Sequence, residues 1–447
     1  MELEQFARDL IRKALDLGAD EADVFVESGR ESEVSTRMRR IENVKESRSE
    51  GYGIRVFKNR QLGFCFSSDF SPLGMADAAD RAVRLSKETS SDKFNGLPDA
   101  MDKFNPTDLD IYDEEIGKIP MEWKIDACVR AEQAVFDYDK RISKSDGAGF
   151  HDGDLVSILA NSRGLTLAYR SSFCYLACRP IAEENGKMQG GSWFSIKRKL
   201  ADLESPESIG RTAAERTVRM LGARVPTTTK VPVVFDNITG PSILASILGA
   251  VNGDSIFKKS TYLVGKLDEM IASPLVTLVD DATLKMGLAS APFDGEGLPT
   301  ARREIVSGGR LVSYLYDTYT ARKAGTESTA NAQRDHASLP SIGSYNFHMQ
   351  PGENSFEEVI GSVKSGLFLT SLMGFGANPV TGDYSLGASG IWIENGELAY
   401  PVEGIAVASN ILDMLQKIDM VGNDLKYMEP ISCPTFRVAE MTVSGNG

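Results

Sequence analysis

Apolar and polar positions switch period several times along the chain. Over residues 1–17, Leu3, Phe6, Leu10 and Leu17 fall near one helical face, so the N-terminus reads as a helix. Residues 23–28, 51–57 and 63–66 have strand composition, with a hairpin loop at 58–61. Ser71-Pro72 opens a second helix through Ala76, Ala79 and Val83. Trp123, Ala127, Ala131, Ala134 and Tyr138 keep helical spacing from Met121 onward. Residues 151–199 read as an antiparallel meander, with turn signals at 151–154, 161–164 and 185–186. Ser205 as N-cap and Pro206 at the first helical position start a helix running to Leu221.

Residues 222–232 hold Pro226, three threonines and Pro232, and mark the main boundary. Beyond it a strand at 233–236 leads to a helix opened by Thr239-Gly240-Pro241 and stopped by Asn252-Gly253. Ile243, Leu244, Ile247, Leu248 and Val251 are its apolar positions. Short strands are expected at 275–279, 303–306, 311–315, 391–394 and 435–439, with hairpin turns at 307–310 and 394–397. Helices are expected at 355–364 and 404–418. The fold class is α+β: helix-flanked antiparallel sheets over 1–226, with a sub-boundary near 97–120, then a strand-rich, barrel-like domain over 232–447.

Composition narrows function mainly by exclusion. Lys plus Arg is 49 against 63 Asp plus Glu, a formal charge of −14. Such a surface repels phosphate backbones, and the basic clusters Arg37/Arg39/Arg40, Lys197/Arg198/Lys199 and Arg302/Arg303 are short, so direct nucleic-acid binding is not expected. No apolar run approaches the ~20 residues of a membrane span, and no signal peptide opens the chain. Five cysteines without a pairing pattern suit a reduced, cytoplasmic protein. Cys174 and Cys178 lack a second pair downstream and make no zinc motif.

Chemistry-bearing motifs are scarce. His151, His336 and His348 are the only histidines and lie far apart. Asp335-His336 with Ser338 or Ser341 has triad residue types without triad geometry. Gly387-Ala388-Ser389-Gly390-Ile391 only superficially resembles a nucleophile elbow, and the glycines at 374–379 read as a turn, not as a phosphate loop. The carboxylate pairs Asp280-Asp281, Glu114-Glu115 and Glu357-Glu358 are adjacent and so point apart. No self-contained metal site or nucleophile triad is legible.

Longer strings say more. Asn-Pro-Val-Thr-Gly-Asp-Tyr-Ser-Leu-Gly-Ala-Ser-Gly at 378–390, continuing through Ile-Trp-Ile-Glu-Asn-Gly at 391–396, resembles the PmbA/TldE branch of the TldD/PmbA family. So do Asp-Thr-Tyr-Thr-Ala-Arg-Lys at 317–323, Phe-Asp-Gly-Glu-Gly at 293–297, Met-Val-Gly-Asn-Asp-Leu at 420–425 and Gly-Tyr-Gly-Ile-Arg-Val at 51–56. The resemblance implies a subunit of a cytosolic metallopeptidase, also known as a modulator of DNA gyrase. In such assemblies a TldD-type subunit binds zinc through His-Glu-x-x-x-His on a helix just past the boundary and a cysteine nearer the C-terminus. A TldE-type subunit pairs with it, and peptides or unfolded chains are trimmed in the enclosed cavity.

Here the His, Glu and His positions are Leu244, Ala245 and Gly249, which offer zinc no lone pair, and Cys433 alone would not hold the ion. The implied role is a non-catalytic subunit with no cofactor of its own. Zinc would sit in a TldD-type partner forming a heterodimer; a homodimer is the other pairing. Two further readings stay open: a self-sufficient hydrolase using His336 with Asp335, or Cys433, and a regulatory protein acting on a partner such as DNA gyrase.

Overall fold

Polar–apolar alternation in the N-terminal half is drawn out into strands longer than the sequence reading assigned. The computed structural model describes residues 2–99, 104 and 106–446. Met1, Gly447, and residues 100–103 and 105 of the expected connector, lie outside the described residues. Helix α1 (Glu2–Asp16) precedes strands β1 (Glu21–Arg37), β2 (Arg40–Lys58) and β3 (Gln61–Ser67), then α2 (Pro72–Glu88) and α3 (Met121–Tyr138). Strands β4 (Ile142–Asn161), β5 (Thr166–Glu184), β6 (Lys187–Gly190) and β7 (Trp193–Lys197) follow, and α4 (Pro206–Val218) ends the half. One antiparallel sheet runs β3-β2-β1-β4-β5-β6, with β7 also paired to β5.

Local chemistry explains most element ends. Ser71 and Ser205 cap α2 and α4 by accepting from the amides of Gly74 and Ser208, each with proline next. Asn59 and Arg60, at φ 51° and 61°, make the β2–β3 hairpin without a glycine. α1 buries Ala7, Leu10, Ile11 and Ala14, with Leu3 and Phe6 packed against the same core; of the expected face only Leu17, just past the helix end, stays exposed. The turn expected at 151–154 is absent: β4 runs straight through it. Buried Asp152 pairs with Arg30 at 2.7 Å and Lys124 at 2.5 Å, and these partners hold a turn-like sequence in extended form.

The C-terminal half opens with β8 (Thr227–Phe235), α5 (Pro241–Ala250) and α6 (Gly253–Phe257). Short elements follow: β9 (Leu278–Asp281), β10 (Arg302–Ser307), β11 (Arg310–Leu311), α7 (Thr318–Ala324), β12 (Ala332–Gln333), β13 (Ser341–Ile342), β14 (Asn346–Met349) and α8 (Phe356–Gly361). Then come β15 (Ser365–Met373), β16 (Asp383–Glu394), β17 (Glu397–Asn410), α9 (Ile411–Gln416), β18 (Ile418–Val421), β19 (Ile431–Ser432) and β20 (Phe436–Asn446). Strands β17-β16-β15-β8-β20 pair in that order, and β17 also pairs with β20, which closes the sheet into a barrel. The α+β class and the barrel-like second half are thus both present.

Two local expectations fail here. Residues 404–410 are strand: Val402, Ile405 and Val407 bury along β17, and only 411–416 turn helical. The strand expected at 311–315 ends at Leu311, because Tyr314 and Leu315 turn inward, the tyrosine hydroxyl donating to the Leu263 carbonyl at 2.7 Å. Both errors come from reading apolar residues without knowing which face the barrel buries.

The two halves are fastened by buried charges. Arg55 on β2 reaches Asp23 on β1 at 2.5 Å and Glu296 at 3.0 Å, and Arg334 reaches Asp23 at 2.9 Å. Phe25, Leu159, Leu167 and Phe293 pack beside them across the same junction.

Candidate functional site

A cavity of about 1020 Å³ opens between the halves, at the upper end of the usual ~300–1,000 Å³ for ligand sites. Its far wall is α5. Proline at the start and the spacing of Ile243, Leu244, Ile247 and Ala250 bury one helical face in the barrel core. The opposite face then points outward, and Ala245 and Gly249, one turn apart, line the cavity. A Cβ placed on Gly249 would meet nothing within 4 Å. Leu244 is fully buried in the core, so the three positions set out above divide: two face the cavity and one does not.

Hydroxyls surround that face. Ser242 Oγ lies 3.2 Å from the Tyr384 hydroxyl, and burial pushes this phenol up to about 12. Tyr262 donates to the Ser246 carbonyl at 3.2 Å, and Ser246 Oγ donates to the Ser242 carbonyl at 3.0 Å. The loop at 374–379 forms another wall. Its glycines Gly374 and Gly376 take φ of 139° and 83°, and Phe375 between them is fully exposed.

The near wall belongs to the N-terminal half. Gly190, Gly191, Ser192, Trp193 and Phe194 line it where β6 gives way to β7, both at the edge of the sheet. Arg179 on β5, and Arg216 and Arg219 at the end of α4, complete it. Arg216 lies over the Trp193 ring at 5.3 Å and 3.8 Å from Asp236. Arg219 Nε has no hydrogen-bond partner among the described residues; burial, then the charge of Arg216, pulls its guanidinium down to about 10. Sequence reading passed over these arginines, because alone each looks like solvated surface charge. Two arginines three apart at a helix end were the one available hint.

Other candidate residues fall elsewhere. Cys433 sits in the barrel core beneath Gly240, its thiol donating to the Asp236 carbonyl at 3.7 Å, and burial raises it far above the ordinary thiol range. His336 Nδ1 meets Glu27 at 2.9 Å rather than Asp335, whose carboxylate accepts from the Ala337 amide at 2.8 Å. His348 is buried against Tyr427, and burial lowers its basicity. His151 packs on Phe173 in the N-terminal sheet. Cys174 and Cys178 face the core under α3 and α4, their thiols pushed up to about 12 by burial. Buried Asp280 accepts from Asn331 and the Tyr345 amide, both at 2.7 Å, and burial raises it to about 6.

Comparison with known proteins identifies the family to which this combination of a barrel half and a long-stranded half belongs. Three models match: the PmbA/TldA metallopeptidase domain 1 over residues 22–86, the central domain over 114–221 and the C-terminal domain over 228–445. The chain belongs to the PmbA/TldD metallopeptidase family. It is 35% identical to metalloprotease PmbA of Escherichia coli O157:H7, over 98% of this chain and 96% of that one. Its fold matches a Thermotoga maritima protein described as a modulator of DNA gyrase, with TM-score 0.90 and 27% identity, covering 99% of this chain and all (100%) of that one. TldE of Thermococcus kodakarensis shares the fold at TM-score 0.89 and 24% identity, over 98% and 100% of the two chains.

Proposed function

We propose that this chain is the PmbA/TldE-type, non-catalytic subunit of a cytosolic zinc metallopeptidase that trims peptides or unfolded chains, with the zinc carried by a TldD-type partner. One observation carries the reading: the cavity-facing positions of α5 are Ala245 and Gly249, while Leu244 is locked in the barrel core. Zinc sites in proteins are built from imidazole, thiolate or carboxylate donors at about 2.0–2.3 Å. These three side chains provide none, and the neighbouring donors are neutral hydroxyls. The Cys433 thiol is turned to a backbone carbonyl, and burial disfavours the thiolate a metal would need. No group of three His, Cys, Asp or Glu side chains stands at metal-binding spacing among the described residues. The donor set therefore does not fit the family's metal, and no chemical step is assigned to it.

In this reading the chain supplies a wall and a peptide-holding surface. Between β6 and β7 the Gly191 amide donates to the Pro180 carbonyl at 3.2 Å, and the exposed Ser192 beside it is the backbone offered to an extended chain, as a sheet edge is in strand addition.

The test is zinc content and unfolded-peptide hydrolysis of the purified chain, alone and mixed with a TldD-type subunit from the same source. Inert, metal-poor protein that raises hydrolysis only in the mixture, and that elutes with the partner as a heterodimer, is the expected result. Zinc-dependent hydrolysis by the chain alone would overturn the reading.

A further inference from the structure

The chain carries a formal charge of −14, yet the cavity between its halves is lined by three arginines, Arg179, Arg216 and Arg219, against one carboxylate, Asp146. Arg179 and Arg219 have no carboxylate within ion-pair distance among the described residues, and Arg216 has one only at 3.8 Å. The acidic side chains close by are already engaged. Asp146 pairs with Arg37 at 3.3 Å. Asp236 Oδ1 accepts from the amides of Ile238 and Thr239 and from the Thr239 hydroxyl, and its Oδ2 is the oxygen that faces Arg216 at 3.8 Å. A half-buried guanidinium beside a second one, with its buried Nε unpartnered and only distant compensation from Asp236 and Glu215, is held at a cost in free energy that an arriving carboxylate would offset. Guanidinium is also the group best shaped to take a carboxylate through paired N–H donors. Trp193, Phe194 and the fully exposed Phe375 add aromatic surface around the same space.

We infer that the cavity selects extended peptides bearing carboxylates, read by Arg179, Arg216 and Arg219. The carboxylates come from acidic side chains or from a free chain terminus. The inference rests on the peptide-handling role proposed above and adds the substrate class. The acidic surface around the cationic cavity sharpens the choice: an acidic peptide meets little attraction elsewhere on the molecule, so binding concentrates here.

The experiment is fluorescence anisotropy on the full chain with dye-labelled, unstructured peptides of one length. A Glu-rich peptide is compared with its Gln and Lys counterparts, each with a free or an amidated C-terminus. The Glu-rich peptide should bind about tenfold more tightly than the Gln-rich one, and more weakly as salt rises. The Lys-rich peptide, drawn instead to the acidic surface, should fail to displace the Glu-rich one. Loss of affinity on amidation assigns the terminus as the source, and indifference to it assigns the side chains. Arg179→Gln should erase part of the preference, and Arg179→Gln with Arg219→Gln most of it, Arg216 holding the remainder. Arg179 is exposed, so its single variant keeps the test valid even if the double variant fails to fold.

Equal binding of the Glu and Gln peptides, an unchanged preference in Arg179→Gln, or no binding by any peptide would overturn the inference. The two ideas fail separately. Hydrolysis in the partner mixture that treats neutral and acidic peptides alike defeats the inference and leaves the subunit reading standing. A preference for acidic peptides without partner-dependent hydrolysis does the reverse.

Discussion

Asp23→Asn should loosen the join between the two halves. The carboxylate is 1% exposed; Oδ2 accepts from Arg55 Nε at 3.0 Å and Nη2 at 2.5 Å, and Oδ1 accepts from Arg334 Nη1 at 2.9 Å. Burial works against its charge, but Arg334 and Arg55 prevail and hold it below the ordinary carboxylate range. After substitution Arg55 keeps Glu296 at 3.0 Å. Arg334 keeps nothing charged within ion-pair distance, and its Nε and Nη2 already have no partner among the described residues. One buried guanidinium is left uncompensated, which costs about 3–5 kcal/mol. Arg334 and Glu296 belong to the C-terminal half, whereas Asp23 and Arg55 belong to the sheet. The loss therefore falls on the contact between the halves, while each core stays intact. Urea unfolding followed by tryptophan fluorescence suits the question: Trp123 and Trp193 report on the N-terminal half and Trp392 on the barrel. The single transition should shift to lower urea and split in two. In a double-mutant cycle with Arg334→Met, a coupling of about 1–3 kcal/mol is expected. Additive losses in that cycle would refute the account, because then the two residues do not depend on each other.

Other substitutions probe separate features. Asp280, raised by burial to about 6 from 3.8, makes the folded state bind more protons than the unfolded state between those values. Its contribution to stability is therefore lost as pH rises from 4 to 7, by roughly 3 kcal/mol at most. Melting temperatures of wild type and Asp280→Asn across that range should move in the variant's favour, and parallel curves would count against the shift. Gly249→Ala should raise stability by about 0.5–1 kcal/mol, since the new methyl meets open space in a helix; a fall in melting temperature would mean the site is tighter than described. Glu132, fully buried, accepts from Thr36 Oγ1 and from the amides of Met38 and Arg39 at 2.7–3.0 Å, tying down the β1–β2 hairpin tip. Glu132→Ala should speed proteolysis near residues 37–40 without moving the barrel's unfolding, and unchanged cleavage would refute that tie. At Gly53 a Cβ would overlap the His336 carbonyl oxygen, so Gly53→Ala should displace that loop and lower the melting temperature; wild-type stability would show the approach to be loose.

Sequence alone settled what depends on neighbours along the chain. Period-3.6 spacing and serine–proline caps set α2, α3 and α4, and turn residues set the hairpins at 58–61, 185–186 and 394–397, because those signals act over a few residues. Long motif strings pointed to the family, and the donor chemistry of Leu244, Ala245 and Gly249 could be judged before any fold was known. Tertiary structure decided what depends on distant partners. The turn-like residues 151–154 became strand because Arg30 and Lys124 neutralise Asp152 there. Residues 404–410 became strand because closing the barrel requires β17 to meet both β16 and β20. The arginine-lined cavity unites Arg179, Arg216 and Arg219 with a helix and a loop from the other half. No local pattern reports that meeting, since charge and burial at a site are set by every segment that reaches it.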